Sequence, residues 1–249
     1  MLKISVVTAV FNKHDTVAGA LDSLFSQTYS GVESVVIDGG SSDGTLAVLE
    51  KYRDRVAVLV SEPDGGIYDA LNKGIARSSG DVIGFLHADD VLADAQVLQR
   101  IAIAFEDPQV DAVYADLKYV KHDDVNRQVR YWRSREFTPA LLRRGWMPPH
   151  PTFYVRRAVY EQMGGFDTRY RIAADYDSIL RFFGSKNFFS CYIPHVLVLM
   201  RTGGASNRSL RNIILKSRED YSALRRNRVG GLLTLVSKNL SKLGQFFLR

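Results

Sequence analysis

Residues 81–92 read DVIGFLHADDVL. The apolar run at 82–86 ends in His87 and then in two adjacent carboxylates, Asp89 and Asp90. Short, nearly continuously apolar runs suit parallel strands covered on both faces. Three more precede it: KISVVTAV (3–10), VESVVID (32–38) and VAVLVSE (56–62). Between them the spacing turns helical. Val17, Leu21, Leu24 and Phe25 share one face, as do Ile67, Ala70, Leu71, Gly74 and Ile75. This alternation predicts right-handed crossovers and an α/β doubly wound, mostly parallel sheet flanked by helices. In such open sheets ligands bind beyond the carboxyl ends of the strands.

Those ends carry polar groups. The first offers Thr8, Ala9 and Asn12, and the second Asp38 in DGGSSDGT (38–45). The third offers Glu62 and Asp64 in SEPDGGIYD (61–69), and the fourth His87, Asp89 and Asp90. The glycines after Asp38 permit a tight turn and close approach of backbone to a ligand. A plain turn, with Ser41, Ser42 or Asp43 capping the next helix, fits the same residues. Neither phosphate-cradling glycine motif, the Walker A loop or GxGxxG, is present.

Farther along, DAVYADLKYV (111–120) and RQVRYWRS (127–134) read as two strands joined by a polar turn. Two short helices surround the Pro-rich turn at 147–151, and IAADYDSILRFFGSKN (172–187) reads as a helix stopped near Gly184. NFFSCYIPHVLVLMRTGG (187–204) reads as one or two strands interrupted at Pro194. Residues 201–249 carry eleven Lys/Arg against two Asp/Glu, whereas the whole chain is only +6, so the first 200 residues are net acidic. In the tail Val229, Leu232, Leu233, Val236, Leu240, Leu243 and Phe247 form an apolar stripe flanked by Arg228, Lys238 and Lys242. The expected organisation is a domain at 1–205, with halves 1–105 and 106–205, and a basic amphipathic helical extension at 206–249.

At 46% hydrophobic and 24% charged residues, the chain has the composition of a folded soluble protein. One cysteine, Cys191, excludes an internal disulfide and suits a reducing compartment. The first residues lack the pattern of a signal peptide, and no run nears the roughly 18 apolar residues that span a bilayer. A cytoplasmic location is expected, peripheral at the inner face of the cell membrane if the tail binds lipid. A basic amphipathic helix can lie on an anionic membrane surface; it can also pack on its own domain or on a second copy in a homodimer. Nucleic acid is disfavoured, since no recognised binding module accompanies the charge.

The segments VVTAVFN, VVIDGGSSDGT, EPDGGIYDALNKGI, FLHADD and GGFDTRYRIAADYDSILR occur in the order and spacing of family 2 glycosyltransferases, which the chain resembles over roughly residues 1–200. The resemblance implies an inverting enzyme with a GT-A-like fold, of the type that builds bacterial polysaccharides and glycolipids. It implies a nucleoside-diphosphate sugar donor, UDP-linked by preference, a glycan or lipid-linked acceptor, and Mn2+ or Mg2+. Carried over by position, Thr8, Ala9 and Asn12 line the nucleotide pocket and Asp38 contacts the nucleoside. Asp64, Asn72 and Gly74 close over the donor. His87 and Ala88 open the metal motif that Asp89 completes, and Asp175 is the catalytic base. Three positions depart from the family pattern: His87 for an acidic or amide residue, Gly39 for a second acidic residue, and Ala174 for a Glu. These departures keep open a nucleotide-binding subunit without turnover. A sugar-phosphate nucleotidyltransferase is the other rival, though TAVFNKHDT lacks its Gly-rich basic loop.

The chemistry supports these roles. Loss of a diphosphate leaving group calls for a hard cation, and one carboxylate suffices when the phosphates supply further ligands. An imidazole at position 87 would favour Mn2+ over Mg2+. An acceptor hydroxyl attacks poorly until a nearby carboxylate takes its proton. Asp175 opens a helix, which suits either that role or a plain N-cap. His150, between prolines, is a candidate for the acceptor wall.

Overall fold

The computed structural model describes residues 1–203 and 210–241. Four parallel strands stand in the order β3-β2-β1-β4: β1 (Ile4–Val10), β2 (Val32–Asp38), β3 (Val58–Ser61) and β4 (Val82–Phe85). Helices α1 (Val17–Phe25), α2 (Thr45–Glu50) and α3 (Ile67–Arg77) make the crossovers. Ile4, Val6 and Val7 of β1 are fully buried, and so are Val35, Val36 and Ile37 of β2. That double covering is why these strands read as unbroken apolar runs. In register, Val10 pairs with Asp38 and Asp38 with Ser61, so the carboxyl ends line up along one edge.

The second half makes the sheet mixed. β8 (Tyr154–Arg156) adds antiparallel to β4, and β6 (Ala112–Val120) adds antiparallel to β8. β9 (Ser190–Arg201) then runs parallel to β6, and β5 (Val91–Leu92) closes the order antiparallel to β9. β7 (Gln128–Trp132) hairpins onto β6, the two strands joined by a polar turn as expected. One nine-stranded sheet thus runs through both halves of the expected domain. β9 is continuous in chain, but its register on β6 shifts around Pro194.

The helices of the second half are α4 (Val97–Ala104), α5 (Pro139–Arg143), α6 (Arg157–Met163) and α7 (Ala174–Phe183). α7 buries Tyr176, Ile179, Leu180 and Phe183 at helical spacing and stops at Gly184. Phe183 anchors an aromatic cluster, its ring 4.6 Å from Phe137, 5.7 Å from Trp146 and 5.1 Å from Phe188. Each such ring contributes roughly 2–3 kcal/mol by burial. Trp146 is committed to packing there rather than to a sugar face.

Helices α8 (Leu210–Arg226) and α9 (Leu232–Ser241) lie against α7 and each other, burying Ala223, Leu224 and Leu235. Leu232, Leu233, Val236 and Leu240 are exposed, as the tail stripe requires. Lys238 does not flank that stripe. It turns inward, 2% exposed, with Nζ 2.7 Å from Asp220 and 3.1 Å from the Tyr176 ring centroid. Lys242, Leu243 and Phe247 lie outside the described residues. Among the described residues, no helix is long and apolar enough to cross a membrane.

Candidate active site

A cavity of about 950 Å³ opens at the carboxyl ends of β1 and β4 and at the first turns of α3 and α7. Seven of the residues singled out from the sequence line it: Ala9, Asp64, His87, Ala88, Asp89, His150 and Asp175. Strand β4 delivers the His87–Asp89 turn. The 3-10 turn His150–Thr152 delivers His150, and α7 delivers Asp175.

Around Asp89 the arrangement is cationic. Lys13 Nζ lies 2.7 Å from its Oδ2. Burial pushes the Asp89 pKa upward, but the Lys13 ammonium outweighs it, and the net direction is down. Arg201 ties the turn from behind: its guanidinium donates to the Asp89 carbonyl at 2.8 Å, and its backbone N–H to Asp90 Oδ1 at 3.1 Å. Asp90 is almost wholly buried, and that burial, followed by the neighbouring Asp89 charge, raises its pKa well above the usual range. It braces the turn. His87 is pushed down to about 4, by burial first and by His150 second, so its imidazole is neutral at pH 7. Among the described residues no group of three or more His, Cys, Asp or Glu could hold a metal ion. A carboxylate facing the cavity beside a neutral imidazole nonetheless fits a divalent cation that takes its other ligands from a diphosphate.

Asp175 lines the same cavity from α7. Its Oδ2 is 3.3 Å from Nδ1 of His150, and its Oδ1 is 3.1 Å from the Tyr68 hydroxyl. That hydroxyl also lies 2.7 Å from the Ile172 carbonyl. The His150 ring is 5.6 Å from the His87 ring, so the two histidines bridge the space between the Asp89 and Asp175 sides. Asp175 is not a helix cap. The N-cap position is Ala173, and α7 has no side-chain cap there.

Five residues expected on the wall stand behind it. Thr8 is fully buried within β1. Asn12 accepts from the Ser42 N–H at 3.0 Å through its side-chain oxygen and donates its own N–H to the Ser41 hydroxyl oxygen at 2.8 Å, which fastens the two loops together. Asp38 is fully buried and accepts from Ser41 N–H, Ser41 Oγ and Ser61 Oγ at 3.1, 2.5 and 2.6 Å. Its carboxylate shapes the glycine loop rather than facing the cavity. Asn72 exchanges two 2.8 Å hydrogen bonds with the backbone of Phe166. Gly74 lets α3 close on β1, since a Cβ there would stand 2.2 Å from Val7 Cγ1. The side chains of Asn12, Asp38 and Asn72 are thus spent on holding this neighbourhood together.

Lys13, Tyr68 and Arg201 were missed. Lys13 follows Asn12 directly and Tyr68 lies in GIYD, so the strand-end rule alone points to both. Arg201 reaches Asp89 across 112 residues, and no local pattern announces that.

The glycosyl transferase family 2 model matches residues 5–172, more than half of the chain. The chain belongs to glycosyl transferase family 2. An uncharacterized glycosyltransferase of Mycobacterium tuberculosis is 36% identical over 183 residues, covering 72% of this chain and 68% of its own length. A PGL/p-HBAD biosynthesis glycosyltransferase of the same species is 30% identical over 219 residues, covering 85% and 82%. Membership and these relatives make the protein a glycosyltransferase. Solved structures share its fold. S. aureus TarS residues 1–349, in complex with UDP-GlcNAc, superpose with a TM-score of 0.72 at 20% identity, over 92% of this chain and 66% of that one. The mannosyltransferase PcManGT from Pyrobaculum calidifontis, in complex with GDP-Man and Mn2+, gives 0.69 at 17% identity, over 96% and 70%. This family 2 chain therefore spans just under two thirds of the TarS fragment. The family match stops three residues before Asp175.

Proposed function

We propose that this family 2 enzyme transfers a sugar, with inversion, from a nucleoside-diphosphate donor to a glycan or lipid-linked acceptor, UDP-sugars being the preferred donors. One observation carries the reading: the Asp89 and Asp175 carboxylates line a single cavity with His87 and His150 between them. Lys13, already within 2.7 Å of Asp89, faces the side where a diphosphate would lie and offsets its charge. Asp175 takes the proton of the acceptor hydroxyl as the new bond to the anomeric carbon forms. The old bond to the phosphate oxygen breaks, and its electron pair leaves with the diphosphate. Tyr68 and His150 hold the Asp175 carboxylate from two directions, which fixes the oxygen that receives the proton. A Mn2+ or Mg2+ ion held by Asp89, with His87, would neutralise charge on the leaving diphosphate.

The α8–α9 surface gives this enzyme a place to work. Its two carboxylates, Glu219 and Asp220, are both buried, while Arg218 and Arg225 on α8 and Arg228 in the turn before α9 are exposed. That pattern matches an anionic membrane leaflet, and the location we propose is the cytoplasmic face of a membrane carrying the lipid-linked acceptor. Assays of UDP release from a panel of nucleotide sugars with Mn2+, on wild type, Asp89→Asn and Asp175→Asn, test the chemistry. Both variants are expected to lose at least about a hundredfold in kcat. Wild-type turnover in Asp175→Asn would overturn the assignment.

A further inference from the structure

The lead-in to α7 has an unusual support. The N–H groups that open a helix need partners, and α7 lacks a side-chain cap of its own. The three N–H groups just ahead of the helix, at 171–173, find theirs on α8. Glu219 accepts from the N–H of Arg171 at 3.0 Å through Oε1, and from those of Ile172 and Ala173 at 2.8 and 3.0 Å through Oε2. It is 8% exposed, so water competes little for those bonds. The three residues it grips lead straight to Asp175. The Ile172 carbonyl also receives the Tyr68 hydroxyl that touches Asp175. Arg171 and Ile172 themselves line the cavity.

The rest of the C-terminal hairpin presses on the same element. Asn227 donates to Asp177 Oδ1 at 2.8 Å, and Arg226 pairs with Asp167. Ser222 lies 3.4 Å from the Tyr170 hydroxyl, and the Asp220–Lys238 pair sits over Tyr176. Every one of these contacts falls on α7 or on the loop that enters it.

We infer that Glu219 is the positioning residue of the base: the C-terminal helix pair completes the active site by fixing the turn from which Asp175 projects. The inference rests on Asp175 being the base. Glu219 touches no reacting atom. It acts by holding three consecutive amides, so its loss displaces the carboxylate without emptying the donor side.

Steady-state kinetics with Mn2+ and the UDP-sugar that wild type turns over fastest test this, together with amide hydrogen exchange over 168–177. Glu219→Ala is expected to lower kcat about fiftyfold, in the range a displacement near 1 Å produces, with donor KM within about twofold. Its amides at 171–173 should lose protection. Glu219→Gln, which keeps one acceptor oxygen of the two, should recover most of the loss and sit about threefold to fivefold below wild type. Leu49→Ala, buried on α2 and not on the cavity wall, serves as a control that lowers Tm and leaves kcat unchanged. Wild-type kcat in Glu219→Ala, or retained protection of its 171–173 amides, would overturn the inference. So would a kcat loss that Leu49→Ala reproduces. If Glu219→Ala does not fold, Glu219→Gln decides: a kcat drop of about threefold to fivefold at wild-type Tm supports the role, and no drop defeats it. Asp175→Asn separates the two levels. Full turnover there removes the base itself, whereas an inactive Asp175→Asn beside a fully active Glu219→Ala removes only the positioning role.

Discussion

Asp64 occupies the volume that a side chain on residue 39 would need. A Cβ built on Gly39 would stand 2.5 Å from Asp64 Oδ2, while Asp64 Oδ1 accepts the Gly66 N–H at 2.8 Å. The Asp64 carboxylate, from beyond the end of β3, thus stands directly against Gly39. Gly39→Ala should push Asp64 off the Gly66 amide. Donor KM should rise about tenfold, equivalent to about 1.4 kcal/mol, with Tm nearly unchanged. Isothermal titration with UDP checks it, and wild-type affinity in the variant would count against a donor role for Asp64.

Tyr68→Phe keeps the ring tilted against Phe166, at 5.5 Å, and deletes only the hydroxyl. With one of two partners of Asp175 gone, kcat should fall about tenfold at unchanged donor KM. His150→Ala removes the other and should cost about ten- to a hundredfold. A rise in KM without loss of kcat, in either variant, would move that residue to the donor side.

Gly74→Ala separates packing from ligand contact. The added methyl would meet Val7 in β1, so unfolding free energy should fall by about 1–3 kcal/mol. Urea melts measure it. A stable variant with impaired donor binding would instead return Gly74 to the cavity wall.

Glu33 predicts an acid limb in stability. Burial alone would raise its pKa, but hydrogen bonds from Lys3 (2.7 Å), Ser5 (2.5 Å) and Ser79 (2.5 and 2.8 Å) outweigh that and hold it at about 2. A folded pKa below the unfolded value stabilises at pH above about 4.5, and that contribution is lost as pH falls toward 2. Glu33→Gln should therefore cost on the order of 2 kcal/mol at pH 7, discounted because Lys3 is half exposed, and progressively less below pH 4.5. Urea melts of both proteins at pH 7, 4 and 3 test it; a constant gap would refute the linkage.

The exposed stripe on α9 offers a separate test. Leu232→Glu with Leu233→Glu should reduce co-sedimentation with phosphatidylglycerol vesicles about tenfold, and 0.5 M NaCl should weaken wild-type binding. Equal binding of both proteins would assign the stripe to a protein partner.

How much of this the chain announced depends on range. β1 to β4 are legible because each is a buried run followed by a polar end. β5 and β8 are not, being two and three residues long and held by partners distant in sequence. For His87 and Asp89 the motif and strand-end rules coincide; Asp175, on a helix, rests on the motif alone. Asn12, Asp38 and Asn72 show the limit of that logic: a motif fixes a backbone neighbourhood, whereas side-chain direction follows from what else must be satisfied locally. Glu219 had no signal at all, because its value lies in three amides more than 45 residues upstream.

The ion pair of Lys238 and Asp220 restricts how this protein can be engineered. Cutting the chain ahead of α9 would strand a carboxylate in an apolar setting beside Tyr176, a defect that typically costs 3–5 kcal/mol. Chimeras that graft a relative's tail onto this catalytic body would need residues 176, 220 and 238 exchanged as one set. Trimming the tail for crystallisation or expression would meet the same obstacle.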